Sequence, residues 1–439
     1  MSGTGTMRDV VLLPLFWLYA IPLGIACAAL DILATPFVWA IRASRRRVEP
    51  LARGRRVSIV IPSWNGRELL AELLPTLPPA IAKVEGPVET IVVDNGSDDG
   101  TVEFLRSEYP DVRIVQLPQN RYFVGGVRAG VEAAHGDILV LLNNDMRVEP
   151  DFLCTLLARF GDADFFAATA RIEMAGDRVE TGRTRIYAKK GMLRFEQVDG
   201  PTDAPAIPAA WAGGGSSAYD LAKYRALDGM EELYAPCYAE DASLSYLAWR
   251  CGWRIEFVTD SVVHHRHRAT SVRVFGRSRV EQLDRRNREL MFWRTVTDWR
   301  IIAMRILFMP WNARKEARRT GVGVQLLGVL RTIPRLPRAL WLRSKLRVRA
   351  RRSDREVLRI ANDVSAYCRS TRRKPTIPRT VVVFGSESTR ASSVDSNAIF
   401  VDAGAHDALD RLRRALGEVY ADSIVSGDPE AERLLARLR

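Results

Sequence analysis

The chain has 439 residues, enough for one large domain or two to three small ones, and its 47% hydrophobic and 27% charged residues suit a protein with a sizeable core. Its net charge of +13 is unevenly spread: Arg266 to Glu356 holds 25 Lys/Arg against 7 Asp/Glu, a local excess of +18, so the basicity says little about the rest. Five scattered cysteines (Cys27, Cys154, Cys237, Cys251, Cys368) argue against a disulfide framework and for a reducing compartment.

In chain order, Val10 to Ile41 is nearly continuous apolar sequence, broken by Asp31 and by Pro14, Pro22 and Pro36. Val10 to Leu30 is long enough to cross a hydrocarbon core of ~30 Å as one helix, or to lie in the interface or against a soluble domain. Arg42, Arg45, Arg46 and Arg47 follow at once, and such a cluster holds what comes after it on the cytoplasmic side. From Val57 the texture becomes short apolar runs alternating with helical periods. Strands are expected at Val57–Ile61, Glu89–Val93, Val112–Gln116 and Asp137–Leu142, with helices at Arg67–Leu77, Thr101–Glu108 and Gly126–His135 between them. That order predicts a parallel α/β sheet with helices on both faces and ligands at the carboxyl ends of the strands. Ile255–Val258 reads as a further strand. Arg300 to Arg352 has no run of 18 apolar residues and reads as basic amphipathic helices on a membrane surface, or as a solvated linker. Beyond Pro375 a strand is expected at Thr380–Phe384 and helices at Ala408–Val419 and Pro429–Leu438. No aromatic-basic interleaving or nucleic-acid motif accompanies the basic stretch, so no nucleic-acid partner is expected.

Four polar groups carry candidate chemistry. Asp94, followed by Asn95-Gly-Ser-Asp-Asp-Gly-Thr101, puts a carboxylate at a strand end before a glycine-rich turn, which suits a nucleoside; Asp98 or Thr101 can equally cap the next helix. Asn143-Asn-Asp145 ends a buried strand in hard oxygen donors suited to Mg2+ or Mn2+, or forms an ordinary turn. Glu240-Asp241 opens a helical stretch, as a general base would or as acids favoured by the helix dipole. Val262-Val-His-His-Arg-His267 gathers three of the chain's five histidines, as metal ligands, proton handlers or surface residues.

In order and spacing these groups resemble the inverting family-2 glycosyltransferases with the GT-A fold, over about Val57 to Asp298. The likeness includes Pro62-Ser-Trp-Asn-Gly66, Val93-Asp-Asn-Gly-Ser97, Gly136 to Asp145, Gly213-Gly-Gly215, Glu240-Asp241, Gly252-Trp253 and Val263-His-His265. Arg285-Arg-Asn287 looks like the tail of bacterial rhamnosyltransferase-like enzymes that build cell-surface polysaccharide. The resemblance implies a hexosyl or deoxyhexosyl transfer from a nucleotide-diphospho-sugar to a hydroxyl of a glycan or lipid-linked acceptor. Donor contacts would come from Pro62, Ser63, Trp64, Asn65, Asp94, Asn95, Gly126, Arg128, Asn143 and Asn144. Asp145, with His265, would hold the divalent metal, Asp241 would be the base supported by Glu240, and Trp211, Gly213 and Gly214 would lie on the acceptor side. Arg128, Ser243 and Leu247 depart from the family pattern, and the alternative they leave is a nucleotide-sugar-binding protein without transferase activity. The expected organisation is a membrane anchor at 1–47, a GT-A domain at 57–298, a basic surface segment at 299–375 against anionic membrane, and a small α/β unit at 376–439. The place expected is the cytoplasmic membrane, with the catalytic domain facing the cytoplasm.

Overall fold

The computed structural model describes residues 4–42, 55–174, 178–181, 183–198, 206–265 and 274–362, together with strands at 380–384, 398–402 and 423–426. Helix α1 (Thr4–Arg42) precedes β1 (Val57–Ser63), α2 (Arg67–Leu73), a 3-10 turn, α3 (Leu77–Ile81), β2 (Val88–Asp94), α4 (Thr101–Glu108), β3 (Arg113–Gln116) and α5 (Tyr122–Ala133). Then come β4 (Ile138–Leu142), β5 (Met146–Val148), α6 (Phe152–Leu157), β6 (Phe165–Met174), β7 (Arg178–Thr181), β8 (Arg183–Lys189), β9 (Met192–Val198), β10 (Ala206–Pro208) and β11 (Ser216–Asp220). Helices α7 (Leu221–Ala226) and α8 (Glu240–Arg250) lead to β12 (Arg254–His265). Five helices follow: α9 (Arg277–Thr295), α10 (Trp299–Thr320), α11 (Val322–Leu330), α12 (Leu336–Arg349) and α13 (Asp354–Ile360).

The main sheet runs β10-β12-β6-β11-β4-β1-β2-β3, with β5 joined to β12 and β7 to β6. Its β4-β1-β2-β3 half is parallel, as the alternating pattern predicts. The other half is mixed, because β11 runs antiparallel to both β4 and β6. The parallel sheet expected over Val57 to Leu142 is therefore this first half, and the antiparallel strand lies beyond it. Val57 to Ile61 and Ile138 to Leu142 are buried throughout, which explains why they read as continuous apolar runs rather than alternating ones. Helix α5 begins at Tyr122, four residues before the expected start. It lies close on the sheet because Gly130 has no Cβ; one there would sit 2.3 Å from Val60 Cγ1.

Helix α1 is long and apolar enough to cross a membrane over Pro14–Ala34, with mean hydropathy 1.9. Yet Phe16, Ala20, Leu23 and Cys27, a stripe at three- and four-residue spacing, are buried in the same core as Ile302 and Met309 of α10 and Leu342 of α12. The face away from that stripe exposes Leu18, Ile25, Ile32 and Leu33. Asp31, which breaks the apolar run, meets the fully buried Arg343 at 2.6 Å and Arg347 at 3.7 Å. The expected anchor and the expected surface segment thus pack on each other and on α9. Many cations of the basic segment point inward as well: Glu289 takes Arg285 and Arg305, Asp228 takes Lys345 and Arg349, and Glu231 takes Arg338. Strands β13 (Thr380–Phe384), β14 (Ala398–Asp402) and β15 (Ser423–Ser426) form a separate parallel sheet. The helices expected at Ala408–Val419 and Pro429–Leu438, and the arginines from 45 to 47, lie outside the described residues.

Asp31→Asn should cost the full-length protein about 3–5 kcal/mol, because Arg343 is then buried without its countercharge. Thermal denaturation in detergent checks this. Replacing both partners by apolar residues of similar volume should recover most of the loss.

Candidate functional site

The register of the parallel strands aligns their polar ends: Ser63 lies opposite Asp94, and Asp94 opposite Gln116. Asp94 is fully buried; its Oδ1 accepts from the Ser97 amide at 3.2 Å, and its Oδ2 has no hydrogen-bond partner. Asn65 sits at φ +47 beyond β1, its amide donating to Ser97 Oγ and its Oδ1 accepting from the Asp98 amide. The loops after β1 and β2 are therefore tied together. Neither Asp98 nor Thr101 caps α4 as the sequence allowed. The N-cap is Gly100, and the Asp99 carboxylate before it accepts from the Thr101 and Arg67 amides at 3.1 and 3.0 Å. Asn95 is spent on the scaffold: its side chain receives the Arg121 amide at 2.8 Å and donates to the Tyr122 carbonyl at 2.9 Å. Gly126 faces that amide and Pro62, where a Cβ would come within 3.2–3.3 Å. Trp64 is 37% exposed at the rim.

Two long-range contacts assemble the acidic part. Strand β12 pairs with β6 from Arg254 and then, past an irregularity between Val258 and Val262, its end pairs antiparallel with β5, setting His265 opposite Met146. His265 Nε2 consequently lies 3.1 Å from Asp145 Oδ2, while Asp145 Oδ1 is buried without a partner. A carboxylate oxygen left open beside an imidazole fits a divalent cation that takes its other ligands from water and phosphate. Among the described residues no cluster of three or more His, Cys, Asp or Glu side chains suited to a metal occurs. His264 points elsewhere, 2.6 Å from Glu149. Asn144 Nδ2 donates to Ser63 Oγ at 2.9 Å, and the Asn143 amide donates to the Gly215 carbonyl at 2.9 Å.

That glycine loop also reaches the second acid group. The Gly214 amide lies close enough to Asp241 to favour its ionised form, the Ala242 amide donates to Asp241 Oδ1 at 2.7 Å, and the Tyr219 hydroxyl donates to the Gly213 carbonyl at 3.2 Å. Trp211 exchanges hydrogen bonds with Thr184 Oγ1 at 3.1 Å and packs edge-on to Phe195. Glu240 is buried with Oε2 unpartnered; burial, then the neighbouring Asp241 charge, raises its carboxyl well above the usual range. Burial raises Asp241 as well, opposed by backbone amides of Ala242 and Gly214. Within the pair Glu240 holds the proton longer and Asp241 ionises first.

Tyr238 and Ala239, immediately before α8, both have left-handed backbone, at φ +77 and +69. Non-glycine residues persist there only when their surroundings hold them. The holder is Asn287, whose Nδ2 lies 2.6, 2.8 and 2.9 Å from the carbonyls of Tyr234, Cys237 and Tyr238, aided by Arg286 donating to Tyr234 and Ala235. The sequence marked Arg285-Arg-Asn287 without a role; a buried Asn after two arginines was the available signal. Arg128 does not join the strand ends. It approaches the carbonyls of Asp228 and Met230 and lies 3.6 Å from Glu232. Ser243 bonds the Tyr234 hydroxyl at 2.7 Å beside Arg294, and Leu247 is core.

Residues 58–213 match the family model for glycosyl transferase family 2. This segment is a family-2 glycosyltransferase domain. Similar curated proteins include an undecaprenyl-phosphate 4-deoxy-4-formamido-L-arabinose transferase of Serratia proteamaculans, 32% identical over 109 residues, covering 24% of this chain and 32% of that protein. An uncharacterised glycosyltransferase of Bacillus subtilis is 33% identical over 100 residues, 22% of this chain and 25% of its own. The chain thus spans about a third of the length of the first of these relatives and a quarter of the second. A crystal structure of GalNAc-T7 with UDP, GalNAc and Mn2+ superposes with TM-score 0.46 at 17% identity, over 61% of this chain and 52% of that one.

Glu240→Gln should stabilise the protein in neutral and alkaline solution. A carboxyl raised on folding contributes stability that is present in acid and is lost as pH rises past the ordinary carboxylate range. The difference in Tm between variant and wild type should vanish at acid pH and grow toward alkaline pH, by roughly 2–4 °C for each kcal/mol. Melting curves across that range check it.

Proposed function

We propose that the protein transfers a sugar from a nucleotide-diphospho-sugar to an acceptor hydroxyl on a glycan or lipid-linked molecule, with inversion and with the aid of a divalent metal. The observation that carries this reading is the Gly213–Gly215 loop. Its Gly215 carbonyl binds the strand end that leads to Asp145, and its Gly214 amide lies close enough to Asp241 to favour the ionised carboxyl, so one loop links a cation-suited carboxylate to a base-suited one.

In this reading Asp94 receives a donor hydrogen from the nucleoside through its unpartnered Oδ2, with Asn65 and Trp64 shaping the same end of the sheet. Asp145 and His265 hold the metal, which when bound neutralises charge on the diphosphate leaving group. Asp241, ionised ahead of Glu240, takes the proton of the acceptor hydroxyl. The freed oxygen forms a bond to the anomeric carbon as that carbon's bond to the phosphate oxygen breaks, and nucleoside diphosphate departs with the bonding pair. Displacement from the face opposite the leaving group inverts the anomeric centre. Glu240, kept protonated, adds no second negative charge beside the base. The Gly214 amide and the strained Tyr238–Ala239 turn fix where Asp241 stands.

The acceptor and the cell location follow from a different region. An N-terminal helix with an apolar stretch of 21 residues, apolar on its outer face too, supports association with a membrane, and the sequence cluster Arg42, Arg45, Arg46 and Arg47 after it favours the cytoplasmic side for the domain. The curated relatives named for transfer to undecaprenyl phosphate support a lipid-linked acceptor.

Asp241→Asn should reduce release of nucleoside diphosphate from sugar nucleotides by roughly 10²-fold or more while donor binding persists, since the base acts on the acceptor. Turnover near wild type would overturn the assignment. Asp145→Ala should abolish the metal dependence of donor binding, measured by titrating Mn2+ in a calorimeter; unchanged metal-dependent binding would remove Asp145 from the site.

A further inference from the structure

A cavity of about 370 Å3 is lined by Tyr122, Ala235, Pro236, Phe275, Leu283 and Pro334 and by four arginines, Arg279, Arg286, Arg331 and Arg335. Three stretches deliver the arginines: the first half of α9, the end of α11, and the 3-10 turn Ile333–Arg335 before α12. Among the described residues none of the four guanidiniums meets a carboxylate. Among the described residues Arg279 and Arg335 make no side-chain hydrogen bond, Arg331 donates to Gln282 alone, and Arg286 uses Nε on Asn287 and Nη2 on loop carbonyls, with no partner there for Nη1. Elsewhere in this basic region acids are placed against arginines, as Glu289 and Asp31 are. Here they are withheld.

The cost of that arrangement is visible in Arg286. Burial first, then the charges of Arg335, Arg279 and Arg331, lower its guanidinium to about 10. Arg331 is lowered by burial and by Arg279. Four mutually repelling cations around one cavity are relieved by an anion carrying more than one charge, and planar guanidiniums match phosphate oxygens in pairs.

The surroundings select among phosphates. Leu330 and Ile333, 46% and 51% exposed, flank Arg331 and Pro334 on the outside of the same turn. Thr332 between them bonds the Tyr19 hydroxyl of α1 at 3.0 Å, so the cavity adjoins the helix suited to a membrane. On its other side the lining residues Ala235 and Pro236 belong to the loop that leads into Glu240-Asp241. We propose that this cavity binds the phosphate or diphosphate of a lipid-linked acceptor, with the lipid lying along the exposed apolar residues of α11 and α1 and the acceptor sugar directed toward Asp241. The proposal rests on the transferase reading for the acceptor's role, but the binding site itself can be tested without turnover.

Full-length protein in detergent is titrated with two probes, farnesyl diphosphate and inorganic pyrophosphate, and compared with the double variant Arg331→Gln/Arg335→Gln, whose side chains are partly exposed, and with Arg279→Gln. Wild type should bind farnesyl diphosphate more tightly than pyrophosphate, and each lost guanidinium should weaken both by roughly tenfold or more. Matching melting temperatures confirm that the variants are folded; should the double variant not fold, Arg279→Gln alone decides. Equal affinity for both probes would overturn the lipid-linked source while leaving a free-phosphate site. Affinities unchanged in the folded variants would overturn the site. Asp241→Asn should bind both probes as wild type does, so failure of the transferase assignment and failure of this cavity give different results.

Discussion

Strand β12 makes two pairings along one length, and the site depends on the change between them. One edge stays parallel to β6 on both sides of the irregularity between Val258 and Val262; the other edge pairs with β10 at Glu256–Val258 before it and with β5 at Val263–His265 after it. A one-residue slip in that second pairing would turn His265 to the opposite face and separate it from Asp145, because side chains alternate along a strand. The bulge is thus the constraint that joins two residues 120 positions apart. The core on both faces fixes the register: Ile255, Phe257, Val258 and Val263 are all buried.

The second acid group is positioned from a different direction. Asp241 rests on a loop with two left-handed non-glycine residues, and its geometry is imposed by Asn287 from α9. Helix α9 in turn packs in the core that includes α1, α10 and α12. Stability of the helices packed on α9 and accuracy of the acid pair are therefore one problem. Arg343, fully buried, ties the N-terminal helix to the same body by binding Asp31 and the carbonyl of Trp293. The elements that face a membrane in the proposed reading also hold the catalytic loop in shape.

Charge in the basic segment divides into two populations. Arg305, Arg343 and Arg347 are neutralised by acids brought from other elements, and Arg285 by Glu289 one turn along its own helix, as burial requires. Arg279, Arg286, Arg331 and Arg335 surround a cavity with no such acid among the described residues. Summed charge hides that difference, since both populations count equally toward +18.

The sequence by itself determined the parallel half of the sheet, the identity of the polar strand ends and the motif order that marks the family. Those are local properties: a continuous apolar run bounded by Asx and Gly residues reads as a buried strand with a turn wherever it occurs. Helix α4 matched its expected limits, and β1, β2 and β4 matched within a residue or two. Only tertiary structure decided which polar residues meet. Asn95 and Arg128 look like ligands in a motif, yet one ties two loops and the other turns to the Asp228–Glu232 loop, because their partners lie 26 or more positions away. The pairing of Asp145 with His265, the hold of Asn287 on Tyr238, and the inward turn of the basic segment all come from contacts between elements far apart in the chain. Composition and periodicity carry no record of such contacts, because hydrogen bonds and ion pairs of this kind depend on where folded elements cross.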